Sequence, residues 1–290
     1  MRIVKKEKTM NRRKRSLPRG WYPWDRKDCK SEIDSFLEGW SRPRGLSIKS
    51  LGGIVPHAGW YFSGRLAARV LSSLKSGRKV EVVVVYGGHL GPEDLPRIVT
   101  EDSWETPLGD IEIDADFVKN LMKKIETKKE SSSSGDNTIE IQLAMVKYFF
   151  PEAKLLAIRS PFSVRAKNLG KAVAEVAEKD GISILAIGST DLTHYGPNYG
   201  FLAKGIGPSA VDWVKRENDK GFIDRALQMD AEGLIKHALE NDSACSAGAA
   251  ASAMATCKAM GAEKGVLLDY YTSYDIMPDD SFVGYAGIVY

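Results

Sequence analysis

Three of the four histidines in this 290-residue chain follow apolar runs that have the length of a β-strand. His57 comes after "LGGIV", His89 after "VVVVYGG", and His194 after "ILAIGST". Imidazole transfers protons near neutral pH and binds zinc, iron, copper or nickel. Any one of these histidines alone could be a turn residue that hydrogen-bonds to the backbone. Their shared position after predicted strands favours a common site.

The pattern around these histidines alternates apolar runs with amphipathic helices. Val82–Tyr86 is continuously apolar, which is typical of a strand covered on both faces. Helices are predicted over about 115–126 and over "NTIEIQLAMVKYFF", which ends at Pro151. We therefore predict an α/β fold, a single domain with a central, mostly parallel sheet flanked by helices. Such sheets place ligand sites beyond the carboxyl ends of their strands, where the histidines would meet.

The three cysteines are widely spaced and odd in number, which argues against a disulfide framework and for a reducing cytoplasm. Cys245, in "NDSACSAG", precedes a predicted helix. A helix N-terminus lowers the pKa of a thiol and favours the thiolate, which binds metals or attacks as a nucleophile. Cys257 is expected in the core, and Cys29 has no predicted role. His237 lies in the middle of a predicted helix and is expected to be structural.

The positive charge of the chain is concentrated at its start. The segment "MRIVKKEKTMNRRKRS" carries a net +7 against +3 for the whole chain, so the remaining residues are net acidic. We predict a basic, disordered leader over residues 1–17 and one domain over 18–290. A basic tail on an acidic domain argues against nucleic-acid binding. No apolar run is long enough to span a membrane, and the leader lacks a secretory apolar region, which favours the cytoplasm.

The segment "TIEIQLAM" contains two polar residues that are candidates for the surroundings of the site. Glu140 either faces the histidines or forms a capping box with Asn137. Arg65, in "GRLAARV", is near the predicted site but is expected to face solvent. The chain has no phosphate-binding P-loop and no GxSxG nucleophile motif.

Several motifs together resemble the Memo-like family, also called AmmeMemoRadiSam system protein B. They are, in chain order, "VPHAGWYFSG", "YGGHLGP", "ETPLGDIEID", "TIEIQLAM", "STDLTHYG" and "NDSACSAGAA". The resemblance covers residues 18–290 and implies a fold like that of the class III (LigB-type) extradiol dioxygenases, which bind non-haem iron at strand ends.

The resemblance also implies roles for particular residues. His57 and His89 take the positions of two metal ligands, and Cys245 takes the position of the dioxygenases' glutamate. His194 falls at the acid/base position, with Asp191 beside it in the same motif. Gln142 stands where the family often has a histidine, and together with Glu140 it is expected to support the metal ligands.

Two functions follow from the resemblance and stay open. The first is an oxidoreductase of dioxygenase type that uses Fe(II), with copper or zinc as alternatives because a thiolate is a soft ligand. The second is a non-catalytic module that binds a peptide, a protein or a small molecule and acts with AMME-type and radical-SAM proteins. A hydrolase with Cys245 as nucleophile and His194 as base leaves His57 and His89 without a role.

Overall fold

The computed structural model describes residues 10–46, 50–75 and 77–290. The strands are β1 (Arg12–Arg13), β2 (Gly52–Val55), β3 (Val82–Leu90), β4 (Arg97–Ile98), β5 (Ser103–Trp104), β6 (Ile111–Glu112), β7 (Lys128–Lys129), β8 (Lys154–Pro161), β9 (Ile184–Ser189), β10 (His194–Tyr195), β11 (Val266–Thr272) and β12 (Phe282–Val289). The α-helices are α1 (Arg26–Phe36), α2 (Trp60–Leu74), α3 (Ala115–Lys124), α4 (Asn137–Phe149), α5 (Arg165–Asp180), α6 (Pro208–Trp213), α7 (Asp219–Leu227), α8 (Ala231–Asn241) and α9 (Ala247–Ala259).

The main sheet has a parallel centre and antiparallel edges. Strands β2, β9, β3 and β8 lie side by side in this order and are all parallel. On one side β12 pairs antiparallel with β2, and it also pairs with β10 and β11. On the other side β4 runs antiparallel to β8. The predicted single-domain α/β fold is confirmed; its parallel centre is these four strands, and β7 pairs parallel with β4 at the far edge.

Helices cover both faces of the sheet. Helix α9 packs on the central strands with α5 and α8 against it, while α2 and α4 cover the opposite face. Small residues allow α9 to come close, since a Cβ at Gly188 would lie 2.9 Å from the carbonyl oxygen of Ala249. A Cβ at Gly170 of α5 would lie 2.3 Å from the carbonyl oxygen of Ser252. Among the described helices, none is both long enough and apolar enough to cross a membrane.

The end of the predicted leader is part of the folded domain, so the prediction is wrong for residues 12–17. Strand β1 pairs with β5, and Arg13 is 4% exposed. Its guanidinium lies 3.2 Å from Glu101 Oε1 and 4.4 Å from the centroid of the Trp104 ring. The basic sequence around Arg13 suggests an exposed charge. Glu101 neutralises this charge and Trp104 covers it, and both lie about 90 positions away in the sequence. Residues 1–9 of the leader lie outside the described residues.

The start of α4 differs from the predicted capping box. Asp136, not Asn137, is the N-cap, and its carboxylate accepts a hydrogen bond from the backbone N–H of Thr138 at 3.0 Å. Glu140 therefore does not reach back to cap the helix. The helix itself forms where its apolar pattern predicted it.

Glu140 also does not face the histidines, because its carboxylate anchors the N-terminal segment. Oε2 accepts hydrogen bonds from the backbone N–H and the hydroxyl of Ser16, at 2.8 and 2.6 Å. Oε1 accepts from the backbone N–H of Leu17 at 3.0 Å and from the Tyr22 hydroxyl at 2.9 Å. Glu140 thus fixes the segment that follows β1 onto α4.

This anchoring predicts that Glu140→Ala destabilises the fold. The buried N–H of Leu17 and hydroxyl of Tyr22 would lose their acceptor, which lowers the free energy of unfolding by about 2–4 kcal/mol. Urea denaturation followed by circular dichroism measures the change. The control is Glu152→Ala, an exposed position just after α4, with an expected change within about 0.5 kcal/mol. Equal stability of the two variants would contradict the anchoring role.

Candidate metal centre

The carboxyl ends of the central strands bring three predicted ligands together. His57 follows β2 by two residues, His89 lies near the end of β3, and Cys245 precedes α9 by two residues. One ligand atom from each of them lies within 4.8 Å of the others. The two imidazole rings are perpendicular, with centroids 5.5 Å apart. The geometry is that of a three-ligand site at the sheet edge.

The His57 ring is held from both sides and is 2% exposed. Its Nε2 lies 3.1 Å from Cys245 Sγ, and its Nδ1 lies 3.4 Å from the hydroxyl oxygen of Ser189. The Gln142 amide donates to this hydroxyl at 3.1 Å and to the Pro56 carbonyl at 2.7 Å. Gln142 thus lies behind His57 and contacts it through Ser189 and the backbone.

His89 is exposed; its neighbours fix the adjoining backbone and place a carboxylate near one ring nitrogen. Nδ1 lies 3.8 Å from Asp136 Oδ2, and this carboxylate also pairs with Arg159 at 3.3 Å. The backbone N–H of Gly88 donates to the Thr138 hydroxyl at 2.6 Å. Gly88 has a φ of +92°, and a Cβ there would lie 2.7 Å from Arg159 Cβ. Only glycine therefore fits at position 88. Residues at the start of α4 contact both Gly88 and His89.

The contact between Cys245 and His57 changes the acidity of both groups. Burial opposes ionisation of Cys245, but the charge and hydrogen bond of His57, with contributions from His89 and His194, hold the pKa of the thiol well below its ordinary value. Burial also disfavours charged His57, yet the nearby Cys245 and Asp191 raise the pKa of this imidazole to about 10. In the metal-free protein each of the two groups therefore favours the charged form of the other.

Asp191 and His194, the predicted catalytic pair, line the cleft, and Asp191 Oδ2 lies 3.9 Å from His57 Nε2. Asp191 is buried, which raises the pKa of its carboxyl, and Oδ1 accepts from the backbone N–H of His57 at 2.6 Å. Its carboxylate thus holds the His57 loop. His194 Nδ1 lies 3.2 Å from the Leu192 carbonyl, which can only accept, so neutral His194 has its free lone pair on Nε2.

A cleft of about 470 Å³ opens above these residues. Sequence reasoning did not assign several residues of its wall, among them Trp21, Phe62, Asn137, Tyr199, Met277 and Tyr285. Tyr199 packs edge-on against His194, with ring centroids 4.9 Å apart. In the sequence, the position of Tyr199 in the glycine-rich stretch after His194 could have indicated that it lines the cleft. Trp21 lies in the aromatic segment "RGWYPWD", whose position in the fold no local pattern predicts.

The other cysteines and the fourth histidine lie apart from the site. Cys29 and Cys257 are fully buried, and burial raises the pKa of both thiols. His237 Nε2 lies 2.9 Å from the Asn218 carbonyl in the helical region, in keeping with its expected structural role.

These environments predict that Cys245 of the metal-free protein ionises at a lower pH than an ordinary thiol. The pH profile of its alkylation by iodoacetamide, followed by mass spectrometry, should have its midpoint at least one unit below the reference of about 8.5. His57→Ala should move the midpoint up by at least one unit, because it removes the stabilising charge. Cys29 and Cys257 serve as internal controls that stay unmodified. An ordinary midpoint in both proteins would contradict the ion pair.

The comparisons with known proteins agree with the motifs. The sequence matches the Memo-like protein family over residues 13–289. It is 34% identical over 280 residues to a MEMO1 family protein of Nitrosopumilus maritimus, covering 92% of this chain and 95% of the relative. A MEMO1 family protein of Methanopyrus kandleri is 33% identical over 247 residues, or 82% of each chain. An uncharacterized protein from Escherichia coli K12 has a crystal structure that aligns with a TM-score of 0.48 and 11% identity, over 76% of this chain and 91% of that one. The chain belongs to the Memo-like protein family.

Proposed function

We propose that this protein binds one redox-active transition metal ion through His57, His89 and Cys245 and acts as an oxidoreductase of dioxygenase type. The observation that carries the proposal is the convergence of two imidazoles on one cysteine, whose thiol pKa the neighbouring histidines lower. A thiolate is the form in which cysteine binds metals. We further propose that the protein works in the cytoplasm, in keeping with its three free cysteines.

The donor set fits a metal ion in both spacing and chemistry. Ligand atoms bonded to one ion at about 2.0–2.3 Å lie about 3–4 Å apart, and the three atoms here lie within 4.8 Å of one another. Imidazole and thiolate suit iron, copper and zinc. We favour Fe(II) from the family's resemblance to the extradiol dioxygenases, with copper or zinc as alternatives. Three protein ligands leave coordination positions open for a substrate.

The residues around the ligands have distinct roles in the proposed reaction. A bound metal ion would supply Lewis-acid and one-electron chemistry. Gln142 and Ser189 hold the His57 ring, as hydrogen-bonded neighbours of metal ligands commonly do, and the Asp136 carboxylate lies 3.8 Å from His89 Nδ1. His194 presents its Nε2 lone pair and accepts a proton from a substrate in the cleft. Asp191 keeps the His57 loop in place.

A second function, a non-catalytic binding module, is favoured by the rim of the cleft. Tyr199 and Met277 are 47% and 53% exposed, and both line the cleft. Exposed apolar side chains beside a cavity suit a peptide, a protein surface or a small molecule. In this alternative the metal is structural, and the partners we propose from the family resemblance are AMME-type and radical-SAM proteins.

Metal content tests the shared premise of both functions. Protein purified without oxygen, loaded with Fe(II) and freed of excess should hold about one ion per chain. Cys245→Ser and His57→Ala should each lose most of it. Cys257→Ser, which removes a buried thiol outside the site, and His194→Gln should retain it. Full retention in either ligand variant would contradict the assigned ligands.

Oxygen uptake by the iron-loaded protein then separates the two functions. With a reductant or catechols as trial substrates, the oxidoreductase should consume oxygen faster than the same amount of free iron. His194→Gln should retain iron but lose about 10²-fold or more of the rate, because general acid–base catalysis contributes on that scale. Stoichiometric iron without any uptake would contradict the oxidoreductase and favour the binding module.

A further inference from the structure

A second cavity, of about 530 Å³, lies next to the cleft of the metal centre. The two share Phe62, which lines both. Its volume is in the range of small-molecule sites, which is about 300–1,000 Å³. Its apolar and aromatic wall consists of Phe36, Tyr61, Phe62, Leu66, Tyr271 and Ile276. The proposed metal chemistry assigns this cavity no role.

Two arginines of α2 line this cavity, and neither forms an ion pair with a described residue. Arg65 and Arg69 are four residues apart, so they lie on the same face of the helix, where like charges repel. In the described parts of the chain, no carboxylate lies within 4.0 Å of either guanidinium. By contrast, other arginines pair with acidic side chains, namely Arg12, Arg13, Arg97, Arg159 and Arg216. The cavity thus holds two guanidinium groups that are not in direct contact with a described carboxylate.

Arg69 is held in a fixed orientation by an aromatic ring. Its guanidinium lies 4.9 Å from the centroid of the Trp40 ring, a cation–π contact. Its Nε is buried and has no hydrogen-bond partner. Stacking fixes the plane of the guanidinium, so its N–H groups are preorganised.

The remaining polar groups limit the charge of a ligand. Asp275 is already held by Lys215 at 2.5 Å and by the N–H of Thr272 at 2.8 Å. Glu32 and Asp269 also line the cavity, and neither has a cationic partner within the described residues. Their two negative charges equal the two positive charges of the arginines and would repel a polyanion. A ligand with one negative charge therefore matches the cavity better than a polyanion.

We propose that this cavity binds an organic acid with a single carboxylate and an apolar body. The carboxylate lies between Arg65 and Arg69, because the guanidinium fork matches the two oxygens of a carboxylate. The apolar body packs against Phe36, Phe62 and Leu66. Binding requires no metal ion, so this site is independent of the metal centre.

Isothermal titration calorimetry with 3-phenylpropanoate tests the proposal on metal-free protein. The neutral amide of the same acid has nearly the same shape and should bind at least 10-fold more weakly. Arg65→Gln should lower the affinity for the acid about 10-fold and leave that for the amide unchanged. Arg65 is exposed, so this variant keeps the fold, and the double Arg65→Gln/Arg69→Gln variant should bind acid and amide equally. The control Arg216→Gln removes an exposed arginine outside the cavity.

Several results would overturn the site. These are no binding of the acid, equal affinity of the wild type for acid and amide, or unchanged affinity for the acid in Arg65→Gln. Inorganic phosphate binding as tightly as the acid would refute the carboxylate class. Cys245→Ser should bind the acid like the wild type, so that a failure of metal binding and a failure of this site are distinguishable.

Discussion

The contact between His57 and Cys245 is the interaction on which the rest of the site depends. It joins Nε2 and Sγ at 3.1 Å across 188 positions of sequence. The two side chains meet only because α9 packs closely on the parallel strands, as the 2.9 Å approach at Gly188 shows. A larger residue there would push away the helix that follows Cys245. The small residues of α9 are therefore needed for the contact between Cys245 and His57 as well as for packing of the core.

The metal centre and the second cavity both use residues of α2 or of the turn before it. Residues just before α2 include His57, and Phe62 in its first turn separates the metal cleft from the second cavity. The next two turns carry Arg65 and Arg69. A shift of α2 would thus affect both sites together. Packing of α2 against the sheet and α4 fixes the position of the two sites relative to each other.

Residues whose roles follow from local pattern were predictable, and those set by distant partners were not. His57, His89 and His194 could be placed at the sheet edge because apolar strands precede them, whereas the choice of His57, His89 and Cys245 as metal ligands came from the family resemblance. Glu140 was misassigned because its partners are in the N-terminal segment, more than 100 positions away. Arg13 was placed in a solvated leader for the same reason, since Glu101 and Trp104 neutralise and cover it.

X-ray absorption spectroscopy of the iron-loaded protein shows directly whether Cys245 binds the metal. We expect one sulfur neighbour of the metal at about 2.3 Å and nitrogen neighbours at about 2.0–2.1 Å. Cys245→Ser should lose the sulfur neighbour, and Cys257→Ser should keep it. A wild-type spectrum without sulfur, or a sulfur neighbour that persists in Cys245→Ser, would rule out Cys245 as a ligand.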